Sequence, residues 1–481
     1  MTETCWRNRP VAEKLPTSTF YKSGVRFFLR GRHCCATKLW PHVFPQLKRE
    51  LPRRNSILTS IIAVTFGIGA ASNAIAQIGP VAGGGLSVRV DTPRPPASAQ
   101  AIMRWKLGLR YYEGVGVKRD YRKAMRLFRQ AAAGGSARAM ASIGLIYAQG
   151  RVLPQDYTKA RAWYTKSARR GDAAAMCMLA TEILKGQGGI KDSAVAVQWY
   201  RKAMVAGSPL GMYGLGMCRQ KGIGERQDMA KALAWYRKAA IAGMPAAMVK
   251  IGSFYALGTG VSRDYKKAIH WFRKGVAVHS ARAMACMGNL YFHGAGVEQN
   301  YHKAMQWYKK AADAGDAGAM NNIGGQYLYG QGVQRSYRRA AAWFHRAAAA
   351  GSSAAMLNIG GLYLHGRGVP QDPKKMRYWF REAAKDGNRN AMVNMAAINL
   401  NGMGGKPDQR RAIFWFGKAA AAGSPRAMYA LGAIYYDGQG VPQNQAKGLE
   451  LIRKAAAAGS RQARQALAKV AKDNQPAASN K

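Results

Sequence analysis

Between Ile102 and about residue 472 the apolar residues fall into short runs of helical spacing, and the runs recur every 36 residues. In the run Ala137 to Ala148 the recurring positions are Met140, Ile143, Gly144 and Tyr147. The spacing i, i+3, i+4, i+7 is one face of a helix. A loop glycine follows at Gly114, Gly150, Gly186, Gly222, Gly258, Gly294, Gly330, Gly366, Gly402 and Gly438, always 36 residues apart. Ten copies in unbroken register mark a tandem array, and each copy predicts a helix, a glycine loop and a second helix.

The second helix of each copy starts after a short polar residue. The series is Asp120, Asp156, Asp192, Asp228, Asp264, Asn300, Ser336, Asp372, Asp408 and Asn444. Each can accept a hydrogen bond from the free amides of the first turn. Inside that helix a small residue precedes an aromatic pair, as in Ala160, Trp163 and Tyr164. The tryptophan recurs at 199, 235, 271, 307, 343, 379 and 415, with Leu127 and Leu451 in the end copies, which have one neighbour each. The helix closes on a further glycine, replaced by His279 in one copy. Gly144 and its counterparts cost roughly 1 kcal/mol each within a helix, so their recurrence predicts close helix contact. The expected fold class is an all-α solenoid of about ten 36-residue helix pairs, in which stacked copies bury the aromatic face that one copy cannot.

The pattern Leu-Gly-x-x-Tyr-x-x-Gly-x-Gly-Val-x-x-Asp-x-x-Lys-Ala-x-x-Trp-Tyr-x-Lys-Ala-Ala-x-x-Gly resembles the Sel-one-like repeat of the tetratricopeptide superfamily. Residues 252–279 and 288–315 follow it closely, and the resemblance covers roughly 101–464. It implies a right-handed superhelical scaffold that recruits other proteins, often in secretion, envelope or signalling pathways. Some bacterial members carry a disulfide in each repeat. Here the cysteines beyond the first 35 residues are the isolated Cys177, Cys218 and Cys286, so that property does not transfer, and they are expected to be packing residues. Ile183, Arg219 and Asn399 stand where the pattern has tyrosine and are read as local variation.

The resemblance also places the first helices on a concave surface. Their core positions take one face, so the opposite face forms ladders. One carries Cys286, Asn322, Asn358 and Asn394, another His293, Tyr329, His365 and Asn401. Gly325, Gly361, Ala397 and Ala433 lie between them, with Asn289 at the equivalent place one copy earlier. Asparagine donates and accepts at once. Asn289, Asn322, Asn358, Asn394, His293, Tyr329, His365 and Asn401 are therefore the candidate contacts for the backbone of an extended peptide.

Charge adds a second candidate surface. The chain has 74 Lys+Arg against 23 Asp+Glu, a net +51, which favours anionic partners without bearing on fold. Lys159, Lys231, Lys267 and Lys303 stand early in second helices, and Lys166, Lys238, Lys274 and Lys310 follow seven residues later. Two helical turns put both rows on one face. This stripe is an ordinary solvated face or a grip for anionic glycan, lipid or, least expected, nucleic acid. No catalytic, metal or cofactor motif is found, and the acids are mostly helix caps. Cofactors: none are expected.

The domain boundaries expected are a basic irregular prelude at 1–55, a signal peptide or membrane anchor at 56–76, a Pro/Gly-rich linker at 77–100, the solenoid at 101–472 and a disordered tail at 473–481. Lys48, Arg49, Arg53 and Arg54 precede an uncharged apolar run from Ile57 to Ala71, followed by Ala74-Ile75-Ala76. That order suits a cleaved secretory signal, with an uncleaved anchor through 57–71 or a buried helix as alternatives. The prelude is long for a leader, and no Met separates it from Met103. The functional expectation is an exported scaffold, periplasmic, envelope-bound or secreted, that binds a protein or peptide. The alternatives are an envelope protein gripping an anionic polymer and a secreted effector that engages host proteins.

Overall fold

The computed structural model describes residues 97–473, and these form helices and loops with no strand among them. The expected prelude, signal or anchor, most of the linker and the last eight residues lie outside the described residues. No helix among the described residues is long and apolar enough to cross a membrane.

The described chain divides into two compact units, 97–283 and 284–473. The first contains α1 (Ala99–Glu113), α2 (Tyr121–Ala133), α3 (Ala137–Gln149), α4 (Tyr157–Ala168), α5 (Ala173–Lys185), α6 (Ser193–Val205), α7 (Pro209–Lys221), α8 (Met229–Ile241), α9 (Pro245–Leu257) and α10 (Tyr265–Ala277). The boundary falls within α11 (Ala281–His293). The second unit continues with α12 (Tyr301–Asp313), α13 (Ala317–Tyr329), α14 (Tyr337–Ala349), α15 (Ser353–His365), α16 (Pro373–Lys385), α17 (Arg389–Asn401), α18 (Gln409–Ala421), α19 (Pro425–Asp437), α20 (Gln445–Ala457) and α21 (Arg461–Asp473). Within each unit consecutive helices pack in chain order, and first helices also touch across a repeat, as α3 with α5 and α13 with α15. The chain is an all-α solenoid. Its first helix begins at Ala99, two residues before the expected start of the array.

The ends of the elements follow from local chemistry. All ten expected caps accept from the amide three residues on, as Asp156 does from Lys159 N–H at 2.9 Å and Asn300 from Lys303 N–H at 2.8 Å. In most copies the cap residue also donates its own N–H back to the first helix, Asp264 to Tyr255 O at 2.9 Å for example, and this closes the glycine loop. At two of the three positions where the pattern tyrosine is missing, the backbone bond persists: Asp228 N–H reaches Arg219 O at 2.9 Å and Asp408 N–H reaches Asn399 O at 2.7 Å, while Ile183 O accepts from Gly186 N–H at 3.1 Å. At the second-helix end, His279 takes φ 55° where the other copies have glycine, and it is the one non-glycine residue with positive φ among the described residues.

The core corrects the reading of the aromatic pair. The second aromatic of each pair fills the interior: Tyr164, Tyr236, Phe272, Tyr308 and Phe344 are fully buried. Each lies against the helical glycine of its own repeat. A Cβ on Gly144 would come within 2.7 Å of the Tyr164 ring, and one on Gly252 within 2.4 Å of Phe272. The tryptophans are only partly buried at the edge of this core. Cys177 and Cys218 are buried free thiols, their pKa values pushed up to about 12 and about 11 by burial, and Cys286 is buried as well.

Candidate ligand-binding surfaces

In the second unit, the exposed face of α13, α15 and α17 carries part of the expected ladder. Tyr329, His365 and Asn401 are exposed at the last positions of these helices. His293, at the same position in α11, is also exposed, with Phe292 edge-on at 4.9 Å, and partial burial lowers its pKa. Asn322 and Asn394 are half-buried. Nothing lies within 4 Å of where a Cβ on Gly361 would stand, so the floor between the rows is open there.

Two expected contacts face inward, which corrects the reading of one uniform exposed row. Asn289 is 8% exposed, and its Oδ1 accepts from Tyr308 Oη at 2.7 Å and from Asn322 Nδ2 at 3.2 Å. Asn358 is 7% exposed and donates to Asn321 Oδ1 at 2.9 Å. These amides tie α11 to α13 and α13 to α15. Burial of an unpaired amide is costly, so adjacent first helices pair theirs. Asn321, which the sequence reading did not single out, is part of this brace. Its helical position alternates with that of Ile323 on the buried side, so its identity as a partner of Asn358 depends on the neighbouring helix.

The basic rows are built into the scaffold. Lys166, Lys238, Lys274 and Lys310 lie 4.7, 4.7, 4.8 and 4.9 Å from the ring centroids of Trp163, Trp235, Trp271 and Trp307. Side chains on a helix lean toward its N-terminus, so a lysine three residues after a tryptophan crosses the outer face of that ring. The earlier row is engaged differently. Lys159, Lys231 and Lys267 pair with their own caps Asp156, Asp228 and Asp264 at 3.1, 3.5 and 3.1 Å. Lys159, Lys267 and Lys303 also lie near Tyr147, Tyr255 and Tyr291 at 5.8, 5.6 and 5.8 Å. All eight ammonium groups stay at the surface.

A concave site the sequence reading missed lies in the first unit. A cleft of about 380 Å³ opens across α1, α3 and α5. Trp105 forms one wall, held by its Nε1–H donating to Ser142 Oγ at 3.2 Å and covered by the Arg138 guanidinium at 5.4 Å. Leu109, Leu145 and Met178 supply apolar lining, and Ala141 and Ala174 leave room between them. Arg138, Arg170 and Asp172 line the rim. Arg170 Nη1 donates to Gly135 O at 3.1 Å. Burial raises the Asp172 carboxyl above its ordinary range, while the Ala175 N–H and the charge of Arg138 pull it down. The signal available in the sequence was Trp105 itself, a first-helix tryptophan outside the periodic second-helix series.

Among the described residues no group of three or more His, Cys, Asp or Glu could hold a metal ion. Stacked helix hairpins define the class: a helical-repeat solenoid. Ten consecutive stretches match the Sel1 repeat, at 101–136, 137–172, 173–203, 209–244, 245–277, 281–316, 317–352, 353–388, 389–424 and 425–460, and the chain belongs to the Sel1 repeat family. It is similar to c5321, a protective antigen present in uropathogenic Escherichia coli strains displaying an SLR fold. The identity there is 28%, covering 78% of this chain and 88% of that one, with a TM-score of 0.37. It is also similar to a Sel1 repeat protein from Oxalobacter formigenes, 36% identical, covering 46% of this chain and 94% of that one, with a TM-score of 0.42. Yeast Tom70 is 11% identical, covering 77% of this chain and 87% of its own, with a TM-score of 0.36. No match was found among curated proteins. Sel1 repeat proteins generally mediate protein–protein interaction, and the family is generally non-catalytic.

Proposed function

We propose that this protein is an exported, non-catalytic scaffold that holds an extended segment of a partner protein along the exposed face of its first helices. The observation that carries this reading is the ladder Tyr329, His365 and Asn401, exposed at equal sequence steps beside the low floor at Gly361. An extended backbone presents donors and acceptors at regular intervals, which such a ladder can match. Asn322 and Asn394 join the contact set; Asn289 and Asn358 support it from within. Export rests on the basic, apolar and small-residue order of residues 48–76.

The test is capture of a partner from the native organism by the wild-type chain and by a Tyr329→Ala, His365→Ala, Asn401→Ala triple variant of unchanged helicity. Loss of the partner by the variant is the expected result, and equal capture refutes the ladder. Fractionation and N-terminal sequencing of the native protein address export: a cytosolic chain beginning at Met1 refutes it. A second reading, binding of an anionic envelope polymer, is favoured by the surface-exposed Lys–Trp row. It requires steep weakening of polymer binding with salt.

A further inference from the structure

The cleft across α1, α3 and α5 combines an apolar hollow with a basic rim. Trp105 is preorganised by its bond to Ser142 and by the Arg138 guanidinium, so this wall exists before any ligand arrives. At about 380 Å³ the cleft lies near the small end of ligand pockets, roughly 300–1,000 Å³, and suits a single anchoring group. Arg138 and Arg170 bring two positive charges to the rim against the one carboxyl of Asp172, which already accepts from the Ala175 N–H at 2.8 Å. The chain-wide excess of 74 basic over 23 acidic residues extends the same sign.

We propose that this cleft is an anchor socket for one large apolar side chain of an extended, acidic peptide segment of the partner. The side chain fills the hollow beside Trp105, Leu145 and Met178, and carboxylates flanking it meet Arg138 and Arg170. Guanidinium groups carry five N–H donors in a planar fork suited to carboxylates, and one Arg170 nitrogen already bonds to Gly135 O. Desolvated aromatic anchors with charged neighbours are where interface energy concentrates. The proposal deepens the scaffold reading above and rests on it, but it assigns the acidic anchor to the first unit, whereas the ladder of α13, α15 and α17 belongs to the second.

The experiment titrates the purified full chain into short fluorescein-labelled peptides and reads anisotropy. The probe has a central tryptophan flanked on both sides by glutamates; controls replace the tryptophan by alanine or the glutamates by lysines. Either replacement is expected to weaken binding at least about 10-fold. Ala174→Phe, which fills the hollow from α5, is expected to weaken it similarly, and Arg138→Gln to reduce both affinity and its salt dependence. Thermal melts by circular dichroism verify that each variant is folded; a second filling variant, Met178→Trp, replaces Ala174→Phe if that one is not. Absence of saturable binding, equal binding of the control peptides, or unchanged affinity in a folded, filled-cleft variant overturns the socket. The ladder variant separates the two readings. If it still loses the native partner while the acidic peptide fails to bind, the socket is wrong and the scaffold stands; if it keeps that partner while the peptide binds, the ladder is wrong and the socket stands.

Discussion

Two glycines in the middle of first helices should respond to alanine with opposite signs. Gly324 in α13 and Gly361 in α15 are both helical, and in an open site alanine is favoured over glycine by about 1 kcal/mol. At Gly361 nothing lies within 4 Å of the added Cβ, so the propensity gain stands alone. Gly361→Ala is expected to stabilise by up to about 1 kcal/mol. At Gly324 the added Cβ would lie 2.6 Å from Phe344 Cδ1 and Cε1, where ordinary contact is 3.4–4 Å. The ring is fully buried between α13 and α14 and must move by about 1 Å in a close-packed interior. Overpacking of this kind costs about 1–3 kcal/mol, so after the propensity gain Gly324→Ala is net neutral to about 2 kcal/mol destabilising. Urea titrations followed by circular dichroism give the order of the midpoints, which stays meaningful even where a repeat array departs from two-state unfolding. The expected order is Gly361→Ala above wild type and Gly324→Ala at or below it. A Gly324→Ala midpoint above that of Gly361→Ala would show that the ring contact does not set the glycine requirement.

The inward amides separate scaffold from surface in the same assay. Asn289→Ala removes the acceptor of the buried Tyr308 hydroxyl and should cost about 1–3 kcal/mol, whereas Asn394→Ala, half-buried on the ladder side, should stay within about 0.5 kcal/mol; equal losses would refute the division. Acid should destabilise the array in a defined window. The caps Asp156, Asp228, Asp264 and Asp372 have pKa values lowered chiefly by backbone N–H donors at the helix starts, so their stabilisation is complete above the unfolded carboxylate value of about 3.9 and is lost as pH falls through the lower folded values. Glu182 and Asp172, raised by burial, act with the opposite sign, so stability should rise slightly as pH falls through their raised folded values toward the unfolded carboxylate range of about 4, before the loss of the caps takes over. Thermal melts across pH check this: Glu182→Gln should reduce the rise and Asp264→Asn should make the acid loss shallower, and a profile unchanged by both would refute the assignment.

What the sequence determined by itself was the limits of the helices and loops in each repeat. Helix limits follow from cap residues, loop glycines and the i, i+3, i+4, i+7 spacing, all of which act within a few residues, and so the register of ten copies and the solenoid class were legible before any coordinates. Tertiary structure decided which faces meet. The Trp–Tyr and Trp–Phe pairs looked equivalent as core, but the helical glycine opens a gap opposite the second ring alone, and the first is left at the edge beneath a lysine. Asn322 and Asn358 stand at equivalent helical positions and each donates to an asparagine of the preceding first helix, but the partners, Asn289 and Asn321, stand at different positions of that helix. The cleft beside Trp105 likewise needs three helices, α1, α3 and α5, to bring a large wall, small floor residues and two arginines together. The last two meetings join residues some 30 to 70 positions apart, and a periodic pattern cannot specify them, because the period reports what the copies share and the site is made where they differ.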